Sequence, residues 1–271
     1  MSYDINDLVY LMQRLRKPQT GCPWDLEQDF RSITASTLEE AYEVVDAIER
    51  DDIAHLKEEL GDLLFQVIFY SQLASEQKHF NFNAVVDVLT QKLIRRHPHV
   101  FPNGTLSSER RPGDDKEAKI ISERWDQIKE QERAQKGQQA LLDDVPKALP
   151  SLPRAQKLQK RVAKAGMDFR TEQAALKNIY VELQELESEL AGAREPEAIQ
   201  DELGDVLFSV VNLARKLDLN AEQSLRVSNH KFEARIKAME ELMLISGQSF
   251  SSCSDDELDA LWQHAKSHKA V

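Results

Sequence analysis

Cysteine is almost absent from this chain of 271 residues: Cys22 and Cys253 lie far apart and form no CxxC pattern. A disulfide framework is therefore not expected, and a reducing cytoplasm is the natural setting. Glycine and proline are also sparse, at 9 each, while abundant Leu, Ala, Glu, Gln and Lys favour helices. No run of alternating β-branched residues reads as a strand, so the sequence predicts an all-α fold. Long apolar runs are missing too. The best of them, Leu63–Tyr70, is interrupted by Gln66 and is too short to cross a bilayer. It reads as a buried helix of a soluble protein, with no membrane partner. The N-terminal MSYDINDLVYLMQRLRK lacks a basic segment followed by an apolar one, so no signal peptide is expected. Positive charge is in deficit as well: 35 Lys and Arg against 47 Asp and Glu leave a net charge of −12. That excludes general nucleic-acid binding, which needs a basic footprint. It does not exclude a polyanionic ligand, because a bound divalent metal inverts the local charge.

What the chain does hold is carboxylate placed on helices. Residues 37–70, TLEEAYEVVDAIERDDIAHLKEELGDLLFQVIFY, contain two helical patterns separated by the acidic corner Arg50-Asp51-Asp52. Side chains three or four apart share a helix face, so Glu40 pairs with Glu43 and Glu59 with Asp62. If the helices fold back on each other, the four carboxylates meet, and the cluster calls for a counter-cation. Asp62 stands at the mouth of a segment with almost no polar face. That predicts a buried helix, in which an unpaired carboxylate is costly. Thr37 lies three residues before Glu40, a capping-box spacing that offers Glu40 a purely structural role. Trp24, beside Pro23 in a loop, reads first as a core plug and second as a platform for a planar ligand.

Periodicity predicts helices near 4–16, 36–49, 52–75, 82–96, 116–136, 154–165, 171–190, 196–217, 221–245 and 255–267. Gly166 is the expected C-cap of the sixth. The polar stretch NGTLSSERRPGDD marks the best boundary. The expected organisation is an N-terminal repeat (1–104), a linker with a charged helix (105–147) and a C-terminal repeat (148–271).

The repeat is the strongest internal signal. KEELGDLLFQV at 57–67 matches QDELGDVLFSV at 200–210, an offset of 143. Glu40 and Glu43 match Glu182 and Glu185 at an offset of 142, and Lys92 and Arg96 match Lys231 and Arg235. An isolated pair of glutamates is ordinarily a solvated helix face. Here four carboxylates recur on consecutive helices, each set preceding an apolar run and followed by Lys-x-x-x-Arg. Carboxylate oxygens suit magnesium or manganese rather than zinc, and a basic pair one turn apart suits phosphate oxygens. The pattern describes a metal–phosphate site within a helical bundle. No Walker A loop is present, in keeping with carboxylate and metal holding the phosphates.

TLEEAYE followed by EELGDLLF resembles the EExxE…ExxD signature of the all-α nucleoside triphosphate pyrophosphohydrolases. The tandem arrangement, with RLRKPQTGCPWDLEQ near the start and RRHPHVF closing the first repeat, resembles the MazG family over nearly the whole chain. The resemblance implies two tandem helical-bundle repeats and a nucleotide-pool enzyme. Its reaction would be hydrolysis between the α- and β-phosphates of a nucleoside triphosphate, with water attacking in line and pyrophosphate leaving. It implies magnesium (or manganese) ligands at Glu182, Glu185, Glu202 and Asp205, with counterparts Glu40, Glu43, Glu59 and Asp62. Lys231 and Arg235 would hold the triphosphate and Trp262 would lie at the nucleotide; Lys92, Arg96 and Trp24 are the corresponding candidates in the first repeat. A homodimer, completing the bundle, is also implied. One position departs from the signature: the first Glu of EExxE is Glu39 in the first repeat but Val181 in the second. Even so, the second repeat is expected to do the chemistry, because Pro98 cuts short the basic helix of the first.

Two rival readings are discriminable. A di-iron bundle needs two Glu-x-x-His pairs, and only Glu76 with His79 fits. A non-catalytic acidic scaffold or regulatory partner remains compatible with the charge, and a test for pyrophosphate release separates it from the enzyme.

Overall fold

The computed structural model describes residues 2–110, 118–135 and 140–267. Among them every regular element is a helix: α1 (Ile5–Leu15), α2 (Pro23–Glu27), α3 (Thr34–Glu49), α4 (Ile53–Glu76), α5 (Phe82–Arg96), α6 (Ala118–Gln135), α7 (Ser151–Lys164), α8 (Glu172–Ala191), α9 (Pro196–Lys216), α10 (Ala221–Ser246) and α11 (Asp255–Ser267). The all-α expectation holds. Residues 116, 117 and 136, included in the sequence-based reading of the charged helix, lie outside the described residues. The chain divides into two compact units, Met1–Lys129 and Glu130–Val271.

In the first unit the core is Met12, Ile33, Ile68, Phe69 and Leu73, with Leu8, Val9, Phe30, Phe65, Tyr70 and Phe82 packed around it. Phe30 stacks on Tyr70 at 6.1 Å and Phe65 meets Phe69 edge-on at 5.9 Å, arrangements that aromatic quadrupoles favour. Asp4 starts α1 with a full capping box to Asp7. Arg16, at its end, is buried and ties three elements together. Its guanidinium bonds to Glu76 at 2.8 Å and to the carbonyls of Asp25 and Gln28, and it lies over the Phe69 ring at 5.4 Å. The loop QTGCPWDLEQDF thus folds into the short α2, and Asp25 rather than Trp24 is its buried residue. Trp24 is 59% exposed, so the core-plug reading is overturned.

Two further expectations change here. Helix α3 begins at Thr34, three residues before Thr37, so Thr37 is no N-cap. Its hydroxyl instead donates to the Ile33 carbonyl and meets the Tyr70 hydroxyl at 2.9 Å, and Glu40 is released from any capping-box role. Helix α4 is not buried all round. Ile68, Phe69 and Leu73 are inside, but Leu60, Leu64 and Val67 are exposed on another side. Asp62 is also exposed, so the buried carboxylate on this helix is Glu59.

In the second unit, Met239, Met243 and Ala265 form a core between α10 and α11, joined by Ile236, Leu258, Leu261 and Trp262. Helix α7 ends one residue before the expected position, and Gly166 lies just past its cap Ala165, at φ +100°. That left-handed position suits glycine. The loop that follows is pinned by Asp168, which pairs with Arg215 and with Lys216 at 3.2 Å. Gln159 reaches from α7 to the Phe208 carbonyl of α9 at 2.8 Å. Cys22 and Cys253 are both free thiols. No described helix is long and apolar enough to cross a membrane.

Candidate active site

Each unit contains one hairpin that brings carboxylates together. In the first, α3 and α4 are joined at Arg50–Asp52, with Asp51 in the left-handed region at φ +54°, a conformation Asp tolerates better than most residues. Glu40 and Glu43, one turn apart on α3, face Glu59 on α4. Each offers one oxygen, and the three oxygens lie within 4.8 Å of one another. In the second unit, α8 and α9 repeat the arrangement, and Glu182, Glu185 and Glu202 meet within the same 4.8 Å limit. The Glu39 position is exposed on α3, as is Val181 on α8.

Asp62 and Asp205, expected as fourth members, are exposed and stand outside these triads, yet their charges are felt within them. Burial, followed by repulsion from Asp62, Glu43 and Glu59, pushes the Glu40 carboxyl above its ordinary range. Burial also raises Glu59, against a lowering contribution from His55 and with further raising by Glu43 and Asp62. In the second unit, burial and then Glu185, Asp205, Asp201 and Glu189 raise Glu202. Carboxylates that resist ionisation in one another's company are what a site for a missing positive charge looks like.

The basic and aromatic candidates lie on other elements. Lys231 and Arg235 stand one turn apart on α10, Lys231 exposed and Arg235 half-buried. The Arg235 guanidinium lies 5.3 Å above the Trp262 ring, and Phe232 meets the same ring at 5.8 Å. Lys92 and Arg96 occupy the last two turns of α5, both half-buried, and Trp24 is on α2. Glu76, the sole glutamate of the di-iron spacing, is bound to Arg16 and Gln72. It belongs to the packing of the first unit rather than to a carboxylate centre.

Three residues near the triads were not singled out by sequence reasoning. His55 Nε2 sits 2.9 Å from Glu59 Oε1. Asn178 donates to Glu182 Oε1 at 2.8 Å and to Ser209 Oγ at 2.9 Å. The signal that finds them is helical spacing: His55 is one turn before Glu59, Asn178 one turn before Glu182 and Ser209 one turn beyond Asp205.

The donor set fits a hard divalent cation, being all-oxygen and converging. Glu202 Oε2 is buried with no hydrogen-bond partner, an orphaned acceptor whose cost a cation would remove. Fold and site together define an all-helical protein with a duplicated carboxylate cluster whose donor set suits a hard cation.

The model of the MazG nucleotide pyrophosphohydrolase domain matches the sequence twice, at residues 28–101 and 170–239. The chain belongs to that family. It is 44% identical over 263 residues to the nucleoside triphosphate pyrophosphohydrolase of Escherichia coli K12, covering 97% of both chains. It is also 36% identical over 260 residues to the nucleoside triphosphate pyrophosphohydrolase/pyrophosphatase MazG of Thermotoga maritima, covering 96% of this chain and 94% of that one. A third relative, the uncharacterized protein YabN of Bacillus subtilis, is 35% identical over 256 residues, which span 94% of this chain and 50% of that one. Both domain matches contain a carboxylate triad.

Proposed function

We propose that this protein hydrolyses nucleoside triphosphates to nucleoside monophosphates and pyrophosphate, using magnesium, with manganese as an acceptable substitute. The observation that carries the reading is the carboxylate triad, built twice on equivalent hairpins, in a chain whose full-length relatives are named for this activity. The second repeat is the main site, held by Glu182, Glu185, Glu202 and Asp205. When bound there, the cation supplies Lewis-acid polarisation of a phosphate oxygen.

The chain's own residues do the rest. Lys231 and Arg235 bind phosphate oxygens and offset the charge that grows on pyrophosphate as it leaves, the electrostatic contribution that dominates phosphoryl chemistry. Trp262, already faced by Arg235, gives the nucleotide a flat apolar neighbour. Water attacks the α-phosphate in line and is oriented by a carboxylate oxygen of the cluster. Glu40, Glu43, Glu59 and Asp62, with Lys92, Arg96 and Trp24, form the equivalent set of the first repeat, whose role is mainly structural.

The active form is a homodimer in the cytoplasm, serving control of the nucleotide pool. Support for the dimer comes from exposed apolar stripes at equivalent positions: Leu60, Leu64 and Val67 on α4, and Leu203, Leu207 and Val210 on α9. Single exposed apolar residues are ordinary, but repeated stripes at helical spacing are a surface to be covered.

The deciding measurement is magnesium-dependent pyrophosphate release from a panel of ribo- and deoxyribonucleoside triphosphates. Glu185→Ala or Asp205→Ala abolishes release if the second repeat is the site. Release that survives these changes and disappears with Glu43→Ala or Asp62→Ala reverses the assignment of repeats. No release from any substrate returns the protein to the acidic-scaffold reading.

A further inference from the structure

The two acidic hairpins are not held in the same way. In the second, Asn178 lies one turn before Glu182, and its amide nitrogen donates one hydrogen to Glu182 Oε1 at 2.8 Å and the other to Ser209 Oγ at 2.9 Å. The Ser209 hydroxyl, having accepted from Asn178, is directed to the same Glu182 oxygen at 3.5 Å, the longest of the three contacts. A hydroxyl both accepts and donates, and an amide nitrogen donates twice, so the ring of three closes without a conflict of roles. Ser209 is only 7% exposed. The ring joins α8 to α9 at the base of the triad.

The first hairpin has polar residues at the equivalent positions but no ring. Asn178 corresponds to Ser36 and Ser209 to Gln66, at the offsets of 142 and 143 that relate the two acidic motifs. Gln66 is 7% exposed, and its Oε1 is buried without a hydrogen-bond partner. The long and short side chains are exchanged between the helices, and Glu40 is left with repulsive carboxylate neighbours.

We propose that Asn178 and Ser209 are positioning residues for the metal ligand Glu182, and that this ring is what makes the second acidic hairpin the better cation site. The inference rests on the functional reading above for the identity of the ligand set. A carboxylate that accepts two directed hydrogen bonds at one oxygen loses the freedom to rotate, so the cation meets a ligand already in place. Outer partners of this kind change metal affinity by about 10–100-fold. Their donation also lowers the repulsion that Glu182 contributes to its neighbours.

The test uses the full-length protein without nucleotide, with Mn2+ as the probe and electron paramagnetic resonance to count free ion. Glu43→Gln serves as the background in which the first hairpin is weakened. Asn178→Ala and Ser209→Ala each weaken Mn2+ binding by about 10-fold or more. Asn178→Asp keeps the shape but replaces a donor by a repelling acceptor, and weakens it further. Ser209→Thr keeps the hydroxyl and restores affinity. Ser36→Ala and Gln66→Ala leave the second site's affinity unchanged. Circular dichroism and melting curves establish that each variant is folded, and Asn178→Asp, which preserves volume, carries the test where an Ala variant does not fold.

If Asn178→Asp and Ser209→Ala bind Mn2+ within about twofold of their background, the proposal is overturned whatever their hydrolytic rates. If they lose Mn2+ binding while the unaltered protein releases no pyrophosphate, the ring stands and the enzymatic reading fails. Because nucleotide is absent, a role of Asn178 in nucleotide contact alone would leave Mn2+ binding intact, which counts against the proposal.

Discussion

His55 Nε2 lies 2.9 Å from Oε1 of Glu59, one helical turn away, at the edge of the first carboxylate triad. The second repeat has no such pair, because the position equivalent to His55 is Ala198. The imidazole lowers the Glu59 pKa against the burial that raises it. His55→Ala is therefore expected to push Glu59 higher still, read as a carboxyl carbon titration by NMR in metal-free protein. An unmoved Glu59 titration would show that the contact has no electrostatic consequence.

A second prediction concerns acid and metal together. Glu202 is raised above its usual 4.5 by burial first and by neighbouring carboxylates after it. A raised carboxyl means that the unfolded chain releases this proton before the folded protein does. The apo protein therefore loses stability as pH rises from the unfolded value through the folded one, and carries the full cost above it. Mg2+ needs the ionised form and offsets that cost. The Mg2+-induced rise in Tm should grow as pH climbs from the unfolded carboxyl value through the folded one and reach its full size above it; at 100 times Kd the stabilisation is about 2.7 kcal/mol. A rise that does not change with pH contradicts the account.

Removal of one carboxylate should separate stability from function. Glu185→Gln relieves repulsion on Glu202, so metal-free Tm is expected to rise slightly while pyrophosphate release is lost. A variant both less stable and inactive would point instead to a packing role for Glu185.

These electrostatic details show where the sequence was and was not legible. The triads were, because helical spacing put Glu40 with Glu43 and Glu182 with Glu185, and the short acidic corner forced the hairpin. The helices themselves were found to within a few residues, with one short element, α2, missed. Pro23 and Trp24 in a loop-like context masked a single helical turn capped by tertiary contact with Arg16. Thr37 misled because a capping-box spacing also occurs one turn inside a helix. Trp24 misled because the buried space beside it is filled by Arg16 and Asp25. Asp62 was assigned the burial that belongs to Glu59, since periodicity fixes which residues share a face but not how deeply that face is covered.

Arg16 supplies a further test. Its side chain is 7% exposed and serves Glu76, two backbone carbonyls and the Phe69 ring. Arg16→Ala removes the shared donor and the packing over Phe69, leaving Glu76 with Gln72 alone, at a cost of about 2–4 kcal/mol. Urea unfolding of the first unit should shift accordingly, and pyrophosphate release should persist under conditions where that unit stays folded. A loss of release with the first unit intact would tie Arg16 to the chemistry.

The second unit has its own acid-sensitive anchor. Hydrogen bonding from Arg215, against burial and with help from Lys216, holds the Asp168 carboxyl below its usual 3.8. Its stabilisation is complete above the unfolded value and is lost as pH falls through the folded one. Asp168→Asn should cost about 1 kcal/mol at pH 7 and flatten the acid limb of the unfolding curve. An unchanged acid limb would assign that limb to other carboxylates.

Each triad is made within one hairpin, α3 with α4 or α8 with α9, and each unit has a core of its own. A duplication built this way carries two self-contained acidic hairpins. Each triad draws its three carboxylates from its own hairpin, so a substitution in one leaves the other's set intact. At matched positions the two hairpins already differ: Val181 against Glu39, Ala198 against His55, and Asn178 and Ser209 against Ser36 and Gln66.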